Sequence, residues 1–354
     1  MTSRWPPPTI EGYVSTPDHL LFAFERDQAI FAAMDRGAYH RSIFLDRRIS
    51  AVSPQMASIH VNHLLKHVGD SLLPLAGNGW IFHIAHCGST LLARALDDLD
   101  RSLVLREPLA LRQLGVARTQ SASGERDREW YSRLELTVGL AGRRYRPDAP
   151  VVVKANVPVN FIVPDLMEMA PSPAIFLYFP LRAYLLAILR SADHRNWVMN
   201  VTTQLQPALT RLVGSIEEAE ISERAAALWM AQMKLYADAL ERFAGARSLP
   251  AEDLFNEPLP TISAAAAHLG IEIPERDLET LVTGPLFSTY SKSPAEAFDN
   301  ARRLAVQAEM SDLLGPEIDK ARRWVEERLA ACPLPPALAR PLVGPSPPLL
   351  DGRA

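Results

Sequence analysis

Cysteine is nearly missing from this chain of 354 residues; Cys87 and Cys332 are the two present. So few thiols, so far apart, make neither a disulfide framework nor a metal site. His83, His194 and His268 lack ligand partners at useful spacing, so no metal is expected. Long apolar runs are missing too: none is long enough to span a bilayer, and no charged-then-apolar leader opens the chain. The expectation is a cytoplasmic protein, with peripheral lipid contact left open. Neither sign of charge dominates, the net being −4, which gives no whole-chain reason to expect nucleic acid as a partner. Nucleic-acid-binding signatures, a serine-hydrolase elbow and internal repeats are also absent.

What is there suits a globular protein: 48% of the residues are hydrophobic, ample for a sizeable core. The simplest organisation is one α/β domain over residues 79–332, an N-terminal extension of mixed structure over 1–78, and a proline-rich tail or surface strap over 333–354. Within the extension, Arg4-Trp5-Pro6-Pro7-Pro8 reads as a flexible or extended arm. Leu20 to Phe44 reads as short strands and a helix, Pro54 to His67 as a helix, and Leu72 to Gly79 as a loop.

The most informative stretch is Trp80-Ile81-Phe82-His83-Ile84-Ala85-His86-Cys87-Gly88-Ser89-Thr90-Leu91. It runs from a buried apolar strand through a small-residue turn into an amphipathic helix. Such a turn aims backbone N–H groups and a helix dipole at one point, which favours phosphate or sulfate. Gly88 allows close approach, and Ser89 and Thr90 can cap the helix or donate hydroxyls. The segment is not a Walker A motif, because His83 stands at the first glycine position and Ser89 at the lysine. Cys87 can be an activated thiol at a helix start, or a small buried one.

Further apolar runs read as parallel strands: Ser102 to Arg106, Val151 to Lys154, Ala174 to Phe179, and Ala246 to Ala251. Helical stretches separate them, among them Leu181 to Arg190 and a long one from Ile216 to Ala244. The latter has Ser215 and Glu218 as a capping box and Trp229, Met233, Tyr236 and Leu240 as a core stripe. Parallel sheets take ligands at the carboxyl ends of their strands. Those ends carry His86 to Thr90, Arg106-Glu107 and Lys154-Ala155-Asn156. Glu107 is a candidate general base, its pKa raised by burial, or else a structural partner of Arg106 or Arg112. Lys154 is a candidate point charge for an anion, or else a surface lysine.

This loop resembles the phosphosulfate-binding loop of bacterial sulfotransferases, in which a strand leads through a basic residue and Ser-Gly-[ST]-T into an apolar helix. His86 takes the basic position, Cys87 the first serine, and Gly88-Ser89-Thr90-Leu91 the remainder. Leu105-Arg106-Glu107-Pro108 is similar to the strand-Glu-Pro element of that family, and Glu252-Asp253-Leu254 through Leu269-Gly270-Ile271 to its approach to a C-terminal basic loop. The resemblance implies a P-loop sulfotransferase-like fold and 3′-phosphoadenosine 5′-phosphosulfate (PAPS) as co-substrate. It also implies a small-molecule or lipid acceptor with a hydroxyl or amine. Glu107, His86 and Lys154 would be catalytic. His86, Cys87, Gly88, Ser89, Thr90 and Leu91 would hold the phosphosulfate; Arg190, Ser191, Arg195 and Lys292 would hold the nucleotide. The family's Arg-x7-Ser spacing is not reproduced, Arg182 and Ser191 being nine apart. An ATP-dependent small-molecule or lipid kinase and a non-catalytic nucleotide-binding scaffold are the alternatives. A homodimer is allowed.

Overall fold

A computed structural model describes residues 5–7, 9–69, 78–121 and 127–350. Strands β1 (His19–Glu25), β2 (Gln28–Ala33) and β3 (Met56–His60) form an antiparallel sheet near the N-terminus. Strands β4 (Asn78–His83), β5 (Leu103–Arg106), β6 (Val151–Lys154), β7 (Ala174–Tyr178) and β8 (Ala246–Pro250) form a parallel sheet in the order β5-β6-β4-β7-β8. A hairpin of β9 (Thr289–Tyr290) and β10 (Ser293–Ala297) follows late in the chain. The central strands β4, β6 and β7 are buried throughout, as continuous apolar runs with both faces covered require. The connections leaving the adjacent strands β4 and β7 run to opposite edges of the sheet. That divergence opens a crevice at the carboxyl ends.

Helix Ile221–Arg242 buries Trp229, Met233, Tyr236 and Leu240 against the sheet, and the Trp229 indole donates to Phe179 O at 2.9 Å. It begins five residues later than its sequence suggests. Ser215 Oγ instead accepts from Glu217 N–H in a local turn, and Glu223 accepts from Glu220 N–H at 2.7 Å in the cap that starts the helix. Asn300–Glu326 is a second long helix, unassigned from the sequence, packed on Ile221–Arg242 and Leu181–Ile188.

The N-terminal segment departs from expectation in two places. Met56 to His60 is strand, not helix, with Ala57 opposite Phe31 and Ile59 opposite Ala29; helix begins only at Val61. Cross-strand packing on β2 overrides the local helical pattern. The described part of the proline arm is pinned rather than loose: Trp5 stacks on His19 at 5.4 Å and donates to Gln55 O at 3.2 Å. Arg4, Pro8 and the loop expected at 72–77 lie outside the described residues. Thr119 to Arg128, polar in sequence and expected as loop, begins inside helix Leu109–Gln120, and 122–126 also lie outside the described residues.

Arg106 ties this segment to the parallel sheet. Its buried guanidinium donates to Ser42, Tyr39 and His40 carbonyls and pairs with Asp97 at 2.9 Å. At the other edge the proline-rich tail lies along β8 as a strap. Ser248 N–H donates to Arg340 O at 3.0 Å, Leu342 N–H returns to Ser248 O at 2.8 Å, and Leu338 and Leu349 are buried.

Candidate functional site

A cavity of about 760 Å³ opens at the carboxyl ends of the strands and is lined by His83, His86, Gly88 to Leu91, Glu107 and Lys154. The loop between β4 and helix Ser89–Ala95 forms its floor. Gly88 caps that helix at φ 80° and, as glycine, brings no side-chain cap. A Cβ at Gly88 would fall 2.7 Å from Phe255 Cζ, so glycine is needed for both backbone and space. The N–H groups of Ser89, Thr90 and Leu91 have no intrahelical acceptor at this end, where the dipole is positive.

Lys154 ends β6 with its side chain fully buried, so it is not a surface lysine. Its ammonium donates to the Glu107 carboxylate, reaches Thr90 Oγ1 at 3.5 Å and lies 5.3 Å from the Phe44 ring centre. Glu107 follows β5 at φ 58°, and its N–H donates to Lys154 O at 2.8 Å. A non-glycine residue held there is costly and is kept by its surroundings. Burial pushes the Glu107 carboxyl upward, but the lysines beside it, Lys154 foremost and then Lys292, outweigh it and hold the pKa below the usual range. The expectation of a raised value is therefore corrected: the nearby cations win. Neither arginine pairs with Glu107, since Arg106 turns to Asp97 and Arg112 donates to Gln204 Oε1 at 2.6 Å.

His83 is a site residue that the sequence did not reveal. Its Nδ1 bonds Ile84 O at 2.8 Å. A carbonyl only accepts, so Nδ1 carries the proton and Nε2 the lone pair. Nε2 is buried without a hydrogen-bond partner and lies 3.7 Å from Glu107 Oε1. Burial, with Lys154 adding to it, lowers the imidazole pKa to about 3. The Cys87 thiol turns away beneath the loop, donating to Ile84 O at 2.8 Å, and burial pushes its pKa up to about 12. It is a packed thiol, not an activated one.

The histidine that opens the loop carries no charge. His86, at φ 59°, sets its ring 3.7 Å from that of His194 and edge-on to Trp197. Burial first, then Lys292, His194 and Arg190, hold its pKa far below the ordinary value. His194 donates Nδ1–H to Ala187 O at 3.0 Å, and burial then Arg190 lower it to about 4. Lys292, in the turn between β9 and β10, lines the cavity. Desolvation and the nearby Lys154 lower its pKa to about 8.

The residues expected around a nucleotide divide. Arg190 and Lys292 line the cavity, as does Leu91 of the loop; Ser191 and Arg195 do not. Ser191 caps helix Ala192–Gln204, accepting from His194 N–H at 3.3 Å. Arg195 donates to Leu189 O and pairs with Glu317 at 2.8 Å through both terminal nitrogens. A long helix absent from the sequence reading claims it. Phe44, Trp197 and Arg303 join the wall from segments far apart in sequence; no local motif marks them. Asn156, noted at its strand end, lines the cavity with Oδ1 buried and without a hydrogen-bond partner.

No protein-family model and no curated protein matches the chain. Solved structures do. A sulfotransferase domain from the curacin biosynthetic pathway is 15% identical over 68% of this chain and 97% of its own, with a TM-score of 0.37. A sulfotransferase from Alicyclobacillus acidocaldarius is 14% identical over 72% of this chain and 98% of its own, at 0.35. Retinol dehydratase in complex with androsterone and the inactive cofactor PAP is 14% identical over 80% and 90%, at 0.36. Among the described residues, no helix is long and apolar enough to cross a membrane.

Proposed function

We propose that this chain is a sulfotransferase, moving a sulfuryl group from PAPS to a hydroxyl or amine of a small-molecule acceptor. The observation that carries this reading is the open helix start at Gly88, facing the cavity beside the Lys154–Glu107 pair. Backbone N–H groups at Ser89 to Leu91 suit the oxygens of a phosphosulfate. The resemblance of His86 to Leu91 to the family loop directs the choice among anions.

In the proposed reaction the acceptor oxygen or nitrogen attacks sulfur in line. The bond from sulfur to the bridging oxygen breaks, its electron pair leaving with adenosine 3′,5′-bisphosphate. Glu107, held ionised, takes the acceptor's proton. Lys154 and the loop N–H groups stabilise the transferring group. Arg190 supplies charge for the nucleotide, and Phe44, Trp197 and Val201 offer apolar wall for the acceptor.

Calorimetric titration with adenosine 3′,5′-bisphosphate, then with ATP and Mg²⁺, tests the reading. Tight binding of the bisphosphate with no preference for ATP supports it. A preference for ATP with magnesium favours a kinase, and binding of neither overturns the reading.

A further inference from the structure

The loop that would hold the transferring group brings no cation of its own. His86 occupies the basic position as a neutral ring packed on His194 and Trp197. Cys87 faces the core. Lys154 is close, but until Glu107 takes the acceptor's proton its charge is matched by that carboxylate in direct contact. In-line transfer gathers negative charge on the sulfuryl oxygens and the bridging oxygen, and a site for it needs positive charge not already neutralised.

Lys292 reaches the same floor from the other end of the sequence. The carbonyl of its neighbour Ser291 accepts from Arg94 Nη1 at 3.0 Å. Arg94 lies in the last turn of the helix that Gly88 begins. The β9–β10 turn is thereby fastened to the loop helix, and Lys292 lines the cavity with Gly88, Ser89 and Thr90. Its electrostatic neighbours are those of the reacting end: Lys154 from β6, Glu107 after β5 and Cys87 of the loop, with Arg190 beyond. His83 from β4 and His86 feel its charge in turn.

We propose that Lys292, fastened over the loop through Ser291 and Arg94, is the cation that meets the transferring sulfuryl group, in place of the loop's own basic residue. This rests on the sulfotransferase reading and changes the role that the resemblance implies for Lys292, from the 3′-phosphate to the sulfuryl end. Two ligands separate the roles: PAPS carries the sulfuryl group, and adenosine 3′,5′-bisphosphate lacks it while keeping both phosphates.

Calorimetry of the full chain with each ligand reads the difference. Lys292→Ala is expected to weaken PAPS by about 10- to 100-fold while changing the bisphosphate less than about threefold, the range for one charged hydrogen bond. Lys292→Arg is expected to keep PAPS affinity. Desolvation and Lys154 place the Lys292 titration at about 8. The lysine is charged below that value, so the preference for PAPS over the bisphosphate is expected to fall as pH rises through it. In Lys292→Arg the preference persists. An equal loss for both ligands in Lys292→Ala, or no loss for either, overturns the proposal while leaving the sulfotransferase reading intact. Failure of the unaltered protein to bind the bisphosphate overturns both.

Discussion

The Lys154 ammonium and the Glu107 carboxylate are in contact where two neighbouring parallel strands end, with Glu107 N–H bonded back to Lys154 O at 2.8 Å. The strand register pairs Arg106 with Lys154, so one residue further along β5 puts the carboxylate over the lysine. This contact keeps Glu107 ionised at neutral pH and buries a lysine that would otherwise be very costly to desolvate.

Glu107→Gln keeps the shape and removes the proton acceptor. Transfer is expected to fall by about 10²- to 10⁴-fold, with bisphosphate affinity little changed. Steady-state rates and calorimetry on one preparation check this; unchanged turnover removes Glu107 as the base.

Replacing both loop hydroxyls, Ser89→Ala with Thr90→Ala, is expected to weaken binding of PAPS and of the bisphosphate together. Both side chains are buried at the helix start and line the cavity. Normal affinity for both ligands would sink the loop assignment.

Gly88→Ala introduces a side chain at φ 80° and into Phe255. The left-handed backbone alone costs about 1–2 kcal/mol, and the clash adds to it. A lowered denaturation midpoint together with lost bisphosphate affinity is the expected pair of results. A midpoint equal to that of the unaltered chain would contradict the strained turn.

Asp97 sits at the centre of the N-terminal junction, fully buried in its side chain against Arg36, Arg106 and His40. Burial pushes its pKa up, but the hydrogen bond to His40 and the two arginines outweigh it and hold it at about 2. A carboxyl depressed in the folded state stabilises above its unfolded pKa of about 3.9, and that stability is lost as pH falls toward the folded value. The contribution is about 2 kcal/mol, lost between roughly pH 4 and 2. Asp97→Asn is expected to flatten the acid limb of a stability profile in that window; an unaltered limb would remove Asp97 from the account.

Ending the chain at Pro335 removes the strap from β8 and with it the buried Leu338 and Leu349. Each is worth about 1.5–3 kcal/mol, and the freed strand edge invites association. A lower melting temperature and concentration-dependent aggregation are expected, by calorimetry and light scattering. Unchanged behaviour would make the strap an ornament.

Legibility in the sequence followed range of interaction. The parallel strands were readable because burial on both faces demands continuous apolar runs, as in Val151-Val152-Val153. The turn at Gly88 was readable because strand, small residues and helix adjoin in the chain. Met56 to His60 misled, since its state is set by β2 rather than by its own spacing. Ser191 and Arg195 misled for a similar reason: a helix cap and Glu317 claim side chains that looked free.

The sequence by itself determined the α/β class, the order of the sheet-forming segments and the strand-turn-helix at Gly88, since each depends on residues within one strand or turn. Only the tertiary structure decided which charges are present there. Whether Glu107 is ionised, His86 neutral and Lys292 a neighbour of Lys154 depends on burial and through-space contact between segments as far apart as residues 86 and 292. Electrostatic energy depends on distance and local dielectric, and neither is written in the order of residues along the chain.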